Sequence, residues 1–321
     1  MRPRILGIVF AAIAAMTSAP AAAENRGPIR IIYPFPGGGS GDALTRLIAD
    51  QLASKLNRPV IVEPRAGAGG RLGVQAAKAA EADGNTLLVS PIAPMAVYPS
   101  MYPALEYDPV KDFTPVSQLA SFDLAISIGP HVPARNLAEL VDWLKANPKQ
   151  ANFGTPGAGT LPHFFGIMFA KATGITLQHV AYKGGTLALT DMMGGQIPIV
   201  FLSTNELTEL HKADKLRVLA TSDIRRSPFL PDVPTFKESG YEIVGTGWWA
   251  MFVPSRTPAG TITALNAAVV EALGRHDIRE KVLRLGLQPV GGTPDEFARV
   301  QKDDIARWAL AVKASGFTPE Q

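Results

Sequence analysis

The sequence predicts an α/β protein built as two packed lobes, and three observations carry that expectation. Strand-like and helix-like segments alternate along nearly the whole chain. A strand running through glycines into an amphipathic helix occurs near the start, at residues 29–46, and again at 152–170. A strand-like segment, 245–254, then returns after the second occurrence is complete. A second lobe inserted between two parts of the first accounts for all three, with two crossing strands and a hinge. The first lobe is expected at residues 24–124 and 246–321, and the second at 125–245.

Residues 1–23 are read as an export leader rather than fold. Arg2 and Arg4 form a basic start, residues 5–16 are apolar but too short to span a bilayer, and Ala21, Ala22 and Ala23 offer a small-residue cleavage site. The two leader arginines supply most of the net charge of +3, so the basic balance is no sign of nucleic-acid binding. There is no cysteine, which excludes a lipid-anchored cysteine, a disulfide framework and a thiolate metal site. The expected product is a soluble exported chain of roughly 300 residues, a length that usually divides into two domains.

The first element is a buried strand with Ile29, Ile31, Ile32 and Tyr33, followed by Phe35 and the glycines Gly37, Gly38 and Gly39. Residues without Cβ let the backbone approach a ligand closely. The next helix adds first-turn N–H donors and the positive end of its dipole, so the loop suits an anion. Nucleotide motifs fail on spacing: no lysine follows the glycines as a P-loop needs, and Leu44 stands where a dinucleotide fingerprint needs glycine. A hydrolase elbow fails as well, with Asp42 in place of its last glycine, and Ser40 reads as a helix cap. A plain strand-to-helix turn with no ligand is the competing reading.

The helix carries Leu44, Leu47, Ile48, Leu52 and Leu56 on one face. A strand at 59–63, a second glycine loop at 66–70, an alanine-rich helix at 72–82 and a strand at 86–90 complete a parallel unit, with ligands expected beyond the carboxyl ends of its strands. Residues 91–115, rich in proline and aromatics, read as an irregular connection, and 123–129 as the strand leading to the second lobe. There Asn136 caps a helix bearing Leu137, Leu140, Val141 and Leu144. A third glycine loop, 155–163, opens onto another helix. Strands end at Val180–Ala181, and others fall at 197–202 and 216–221, with a helix at 187–193. The C-terminal part is helical at 262–273, 278–285 and 294–314.

The segments YPFPGGGSGDALTR, VIVEPRAGAGGRLG, GTPGAGTLPHFFG, VAYKGGTLALTDMMGGQIPIV, FLPDVPTFKESGYE and GWWAMFVPSRTPAG occur in this order over nearly all the chain beyond the leader. As an ordered set they resemble the tripartite tricarboxylate transporter receptors, the periplasmic solute-binding proteins also called Bug proteins. The resemblance implies a two-lobed periplasmic binding fold of the doubly crossed-over type, closing on a small carboxylate held largely by backbone N–H groups and water. It implies ligand contacts from Phe35, Gly38, Gly39, Ser40 and Asp42, from Ala68 and Gly69, and from Ser90 in the first lobe. From the second it implies Gly159, Thr160 and His163, then Tyr182, Lys183 and Gly184.

Each of several side chains also has a plainer role: Asp42 as a helix-terminus acid, His163 as a packed histidine, Lys183 as a solvated lysine, Tyr182 as core. Two departures from the family pattern stand out, Glu63-Pro64-Arg65 before the second glycine turn and Leu202 where relatives commonly carry a polar or acidic residue. The second removes a partner for a ligand amine and favours a plain or aromatic carboxylate over an amino acid.

The implied partners are a di- or tricarboxylate, aromatic carboxylate or amino acid, and the permease subunits of a tripartite transporter or a sensor. No nucleic acid, cofactor, metal or catalytic residue is expected, and the chain reads as a monomer. The five histidines are scattered singly without a metal-binding spacing. An exported α/β hydrolase and a ligand-free periplasmic partner protein are the alternatives.

Overall fold

A computed structural model describes residues 27–315, so the expected leader and its cleavage site lie outside the described residues. In chain order the strands are β1 (Ile29–Tyr33), β2 (Val60–Pro64), β3 (Thr86–Pro91), β4 (Phe113–Ile128), β5 (Asn152–Thr155), β6 (Gln178–Ala181), β7 (Ile199–Ser203), β8 (Arg217–Thr221), β9 (Thr246–Pro254) and β10 (Gln288–Gly291). The helices are α1 (Ser40–Leu56), α2 (Arg71–Lys78), α3 (Tyr98–Met101), α4 (Leu137–Ala146), α5 (Leu161–Thr173), α6 (Gly185–Met193), α7 (Thr204–Lys212), α8 (Ala259–Gly274), α9 (His276–Arg284) and α10 (Pro294–Ser315).

One sheet runs through the molecule and changes partners along β4. In its first half β2, β1 and β3 are parallel, β9 is antiparallel to β3, and β4 is antiparallel to β9. In its second half β7, β5 and β6 are parallel, and β4 pairs antiparallel with both β7 and β8. The first-half pairing of β4 runs to Asp123, opposite Thr246, and the second-half pairing starts at Leu124, opposite Ser203. The chain returns through Ser222, whose hydroxyl donates to the Gly245 carbonyl at 2.6 Å and accepts from the Leu124 N–H at 2.9 Å. Of the two expected crossing strands, β4 pairs with both halves and β9 pairs with the first alone.

Helix α1 forms where the periodicity places it. Leu44, Ile48 and Leu52 are wholly buried against the first half of the sheet, and Asn57 closes the helix in the left-handed conformation. In α4 the cap is direct, since Asn136 Oδ1 accepts the Glu139 N–H at 2.9 Å. Helix α10 lies across both halves: Phe297 packs edge-on to Trp248 of β9, while Trp308 meets Phe164 and Phe165 of α5. Trp248 and Trp308 are both about 1% exposed, so this strap is core.

Four segments differ from expectation. Strand β4 begins at Phe113, ten residues early, because Pro115 sits at an irregularity in the β4–β9 register instead of ending the strand. The connection expected to be irregular holds a helical turn at Ala93–Val97 running into α3, and Met95, Ala96 and Val97 are wholly buried, with Gln301 of α10 bonded to the Met95 carbonyl. Helix α7 and strand β10 were not anticipated; α7 proves central to the site.

Candidate functional site

At the carboxyl end of β1, Tyr33 is buried and its ring stacks on Trp249 of β9, with centroids 5.8 Å apart. Gly41 is a glycine because of that indole: a Cβ there would land inside the Trp249 ring. Asp42, 6% exposed, folds back over the helix start, where its Oδ2 accepts the Gly38 N–H at 3.0 Å and Arg46 Nε at 3.1 Å. Burial works to raise its pKa, but the Arg46 and Gly38 hydrogen bonds outweigh that and hold it below the usual carboxylate value. The Asp42 N–H in turn serves the Tyr33 hydroxyl, whose pKa is pushed up to about 12 by burial and by the Asp42 charge.

These contacts fix the loop and consume two of its donors. The first-turn N–H groups of Ser40 and Gly41 have no helical partner, and no side chain caps α1. Beside them is a cavity of about 260 Å³. Gly39, Ser40 and Trp249 line it from the first half of the sheet, and Phe122 and Leu287 form its base near the β4 crossing. From the second half, Ser203, Asn205 and Glu206 at the start of α7 close it. A Cβ on Gly39 would meet nothing within 4 Å, which leaves the approach to the helix end open. A larger depression of about 650 Å³, around Tyr102 and Val110, lies away from the glycine loops.

The opposite wall is built on a capping box. Ser203 is the N-cap of α7 and Glu206 its third residue, with the Ser203 N–H reaching Glu206 Oε2 at 3.4 Å. Gly185, at the start of α6, is packed so closely on Glu206 Oε1 that a Cβ would overlap it. Burial raises the Glu206 pKa, only partly offset by that N–H. The loop that carries Lys183 and Gly184 thus leans on the cavity wall from behind.

The expected ligand residues are distributed as follows. Gly39 and Ser40 line the cavity, while Gly38 and Asp42 are bound to each other behind it. Phe35 covers Gly70 of the second glycine turn, where Ala68 and Gly69 are exposed and Tyr98 donates to the Gly69 carbonyl at 2.9 Å. Ser90 is wholly buried, its hydroxyl turned to the Pro91 carbonyl.

In the second half, Thr160 donates to the Gly157 carbonyl at 2.8 Å and Gly184 N–H to the Pro156 carbonyl at 3.0 Å, tying the two loops together. His163 is packed: its ring stacks on His179 with centroids 3.8 Å apart, and its Nδ1 accepts the Gly159 N–H at 3.1 Å. Burial pushes both histidines down to about 4, with the His163 charge adding to the effect on His179. The Tyr182 hydroxyl donates to Asp191 at 2.8 Å, and Lys183 is exposed.

Sequence reasoning missed Trp249, Phe122, Leu287 and the α7 wall. For α7 a signal existed: Ser203-Thr204-Asn205-Glu206 is a capping-box sequence, with Leu207 and Leu210 on the following helical face. For Trp249 none did, since its contact with Gly41 arises only when β9 pairs beside β3.

Among the described residues no cluster of histidine, aspartate and glutamate could hold a metal ion, and no helix is long and apolar enough to cross a membrane. Residues 44–317 match the model of the tripartite tricarboxylate transporter family receptor. The chain is 35% identical to Protein BugT of Bordetella pertussis, over 98% of each chain. Among solved structures, it is similar to a Rhodopseudomonas palustris protein solved with adipate, at 28% identity and a TM-score of 0.82, covering 91% of this chain and 98% of that one. It is also similar to MatC from the same organism with bound malate, at 27% identity and a TM-score of 0.77, covering 89% and 98%.

Proposed function

Because the chain belongs to the tripartite tricarboxylate transporter receptor family, and is a solute-binding receptor of that kind, we propose that it captures a small carboxylate in the cavity between α1 and α7. The carrying observation is the uncapped start of α1 beside Gly39, opening on a cavity that both halves of the sheet line. A carboxylate there takes the Ser40 and Gly41 N–H groups and the positive end of a 17-residue helix. Phe122, Leu287 and Trp249 cover its carbon skeleton.

In this reading residues 24–124 with 246–321, and residues 125–245, move as two lobes about Asp123–Leu124 and the Ser222–Gly245 return. A ligand touching both walls favours the closed form by its differential affinity for it. The loops carrying Phe35, Ala68 and Gly69, and those carrying Gly159, Thr160 and Lys183, form the rims that approach on closure. The loaded receptor then docks on a membrane permease or sensor, consistent with an exported chain whose leader is removed. The adipate and malate complexes of the two similar structures support a carboxylate.

The test is thermal unfolding of purified, ligand-stripped protein against mono-, di- and tricarboxylates. A ligand at a hundred times its dissociation constant stabilises by about 2.7 kcal/mol, a shift of a few degrees. Gly39→Val should abolish that shift while the unliganded protein melts as before, because φ there is −86° and the added carbons enter open space. Retained stabilisation in Gly39→Val would refute the site. Gly159→Val is the poorer variant, since φ of 72° at that position strains any branched residue.

A further inference from the structure

The two walls of the cavity differ in charge. On the α1 side the backbone offers donors and a positive helix end. On the α7 side stands Glu206, the single ionisable residue of the lining. Its carboxylate has one long hydrogen bond, to the Ser203 N–H at 3.4 Å, and no basic group pairs with it among the described residues. The basic side chains carried by the neighbouring loops are placed elsewhere: Arg46 is bound to Asp42, and Lys183 is exposed and absent from the lining.

A ligand with carboxylates at both ends would therefore set its second charge against Glu206 with no cation between them, and one of the two groups would have to take up a proton. A ligand with an ammonium at its far end meets the opposite situation, a half-buried acid lacking a counter-charge. The cavity, at about 260 Å³, lies below the roughly 300 Å³ at which drug-sized sites begin, and suits a skeleton of a few carbons.

Resting on the carboxylate reading above, we infer that the ligand is a short zwitterion, an amino acid whose carboxylate binds at Ser40 and Gly41 and whose ammonium pairs with Glu206. This reverses the preference drawn from Leu202. That side chain is wholly buried in the apolar core of the second half, and Glu206, four residues further on in the first turn of α7, supplies at the wall the acid that Leu202 does not. Asn205, which packs on Gly286 of the first half and also lines the cavity, offers a neutral donor and acceptor beside it.

The experiment uses pairs of probes that share a skeleton and differ at one end. 4-Aminobutyrate is compared with glutarate and β-alanine with succinate, by calorimetry on the ligand-stripped protein and on Glu206→Gln. The expected result is that each amine-bearing probe binds the natural sequence at least about tenfold tighter than its dicarboxylate partner. Glu206→Gln, which keeps an acceptor for the α7 cap, should lose that advantage and gain affinity for the dicarboxylates.

Dicarboxylates binding as tightly as or tighter than their amine partners would overturn the inference and leave the carboxylate site standing. No binding by any probe, together with no response to the wider carboxylate panel, would overturn both. Should Glu206→Gln fail to fold, the ratio of affinities within each pair on the natural sequence decides by itself.

Discussion

Asp123 provides the sharpest test of how the crossing between the two halves of the sheet is built. It is 1% exposed, and it is the last residue of β4 to pair with the first half of the sheet. Its carboxylate meets the Gln288 side-chain amide at 3.5 Å from both oxygens, and no basic group among the described residues reaches it. Burial pushes its pKa up to about 6; the nearby Asp223 charge adds to this and the Ser227 hydroxyl opposes it. Because the folded value lies above the unfolded one, Asp123 helps stability fully below about pH 4, and that help is lost as pH rises to about 6. At 1.36 kcal/mol per unit, a rise from 3.8 to about 6 amounts to about 3 kcal/mol forgone at neutral pH.

Asp123→Asn keeps the shape and cannot ionise. Its stability relative to the natural sequence should therefore rise between pH 4 and 6.5 by about 2 kcal/mol, the greater part of that total and on the order of 4 °C in Tm for a chain of this size. The difference between the two proteins is the right quantity, because His163 and His179 run the other way. Their folded values of about 4 lie below the ordinary 6.5, so their contribution is complete above pH 6.5 and is lost as pH falls toward 4. In the natural sequence the Asp123 and histidine slopes oppose; Asp123→Asn removes the first and leaves every other titration as it was. Thermal melts at half-unit pH steps measure both, and parallel profiles for the two proteins would refute the assignment of a buried, unpaired acid at the crossing point.

Two further substitutions probe the loops. Gly41→Ala drives a methyl into Trp249, so the indole must leave its stack on Tyr33; a loss of about 1–3 kcal/mol is expected, with altered tryptophan emission and weaker ligand binding. Unchanged emission and Tm would show that the cavity floor is not packed as described. His163→Phe keeps a ring beside His179 but cannot accept the Gly159 N–H, so hydrogen exchange at Gly159 should quicken by roughly fivefold, for about 1 kcal/mol of lost hydrogen bond. The natural sequence should show the same loosening near pH 4, where the ring takes up a proton; a pH-independent exchange profile, corrected for intrinsic rate, would contradict it.

What the sequence showed was local, and what it hid was contact between distant segments. The strand, glycines and helix of residues 29–56 are legible because periodicity, glycine and first-turn chemistry act within a few residues. The same reasoning puts Gly39 and Ser40 at the start of that helix but reads Ser40 as its cap; in the structure Gly39 is the N-cap, Ser40 is the first helical residue, and no side chain bonds the helix end. It could not place His163 on His179, because β5 and β6 must pair before those rings meet. Ser90 sat at a strand end by its sequence, yet β9 pairs across it and buries it. Helix α7 is the instructive case. Its capping box is local and lies in the sequence, but its place opposite α1 depends on β4 pairing with both β9 and β7, which no local signal carries.

The α7 wall also bears on which helix end would receive the proposed carboxylate. Helices α1 and α7 both start at the cavity, and by dipole alone either could hold a carboxylate. In α7 the start is already occupied by its own acid, since the Glu206 side chain returns to the Ser203 N–H and sets a negative charge over the first turn. In α1 the acid of the first turn, Asp42, is directed away from the cavity, onto the Gly38 N–H and Arg46. An acidic side chain at the third position of each helix, Asp42 in one and Glu206 in the other, thus leaves one terminus open to an anion and closes the other. Under the proposed reading, a ligand with opposite charges at its two ends satisfies both walls and gains from drawing the halves together across Asp123 and Leu124.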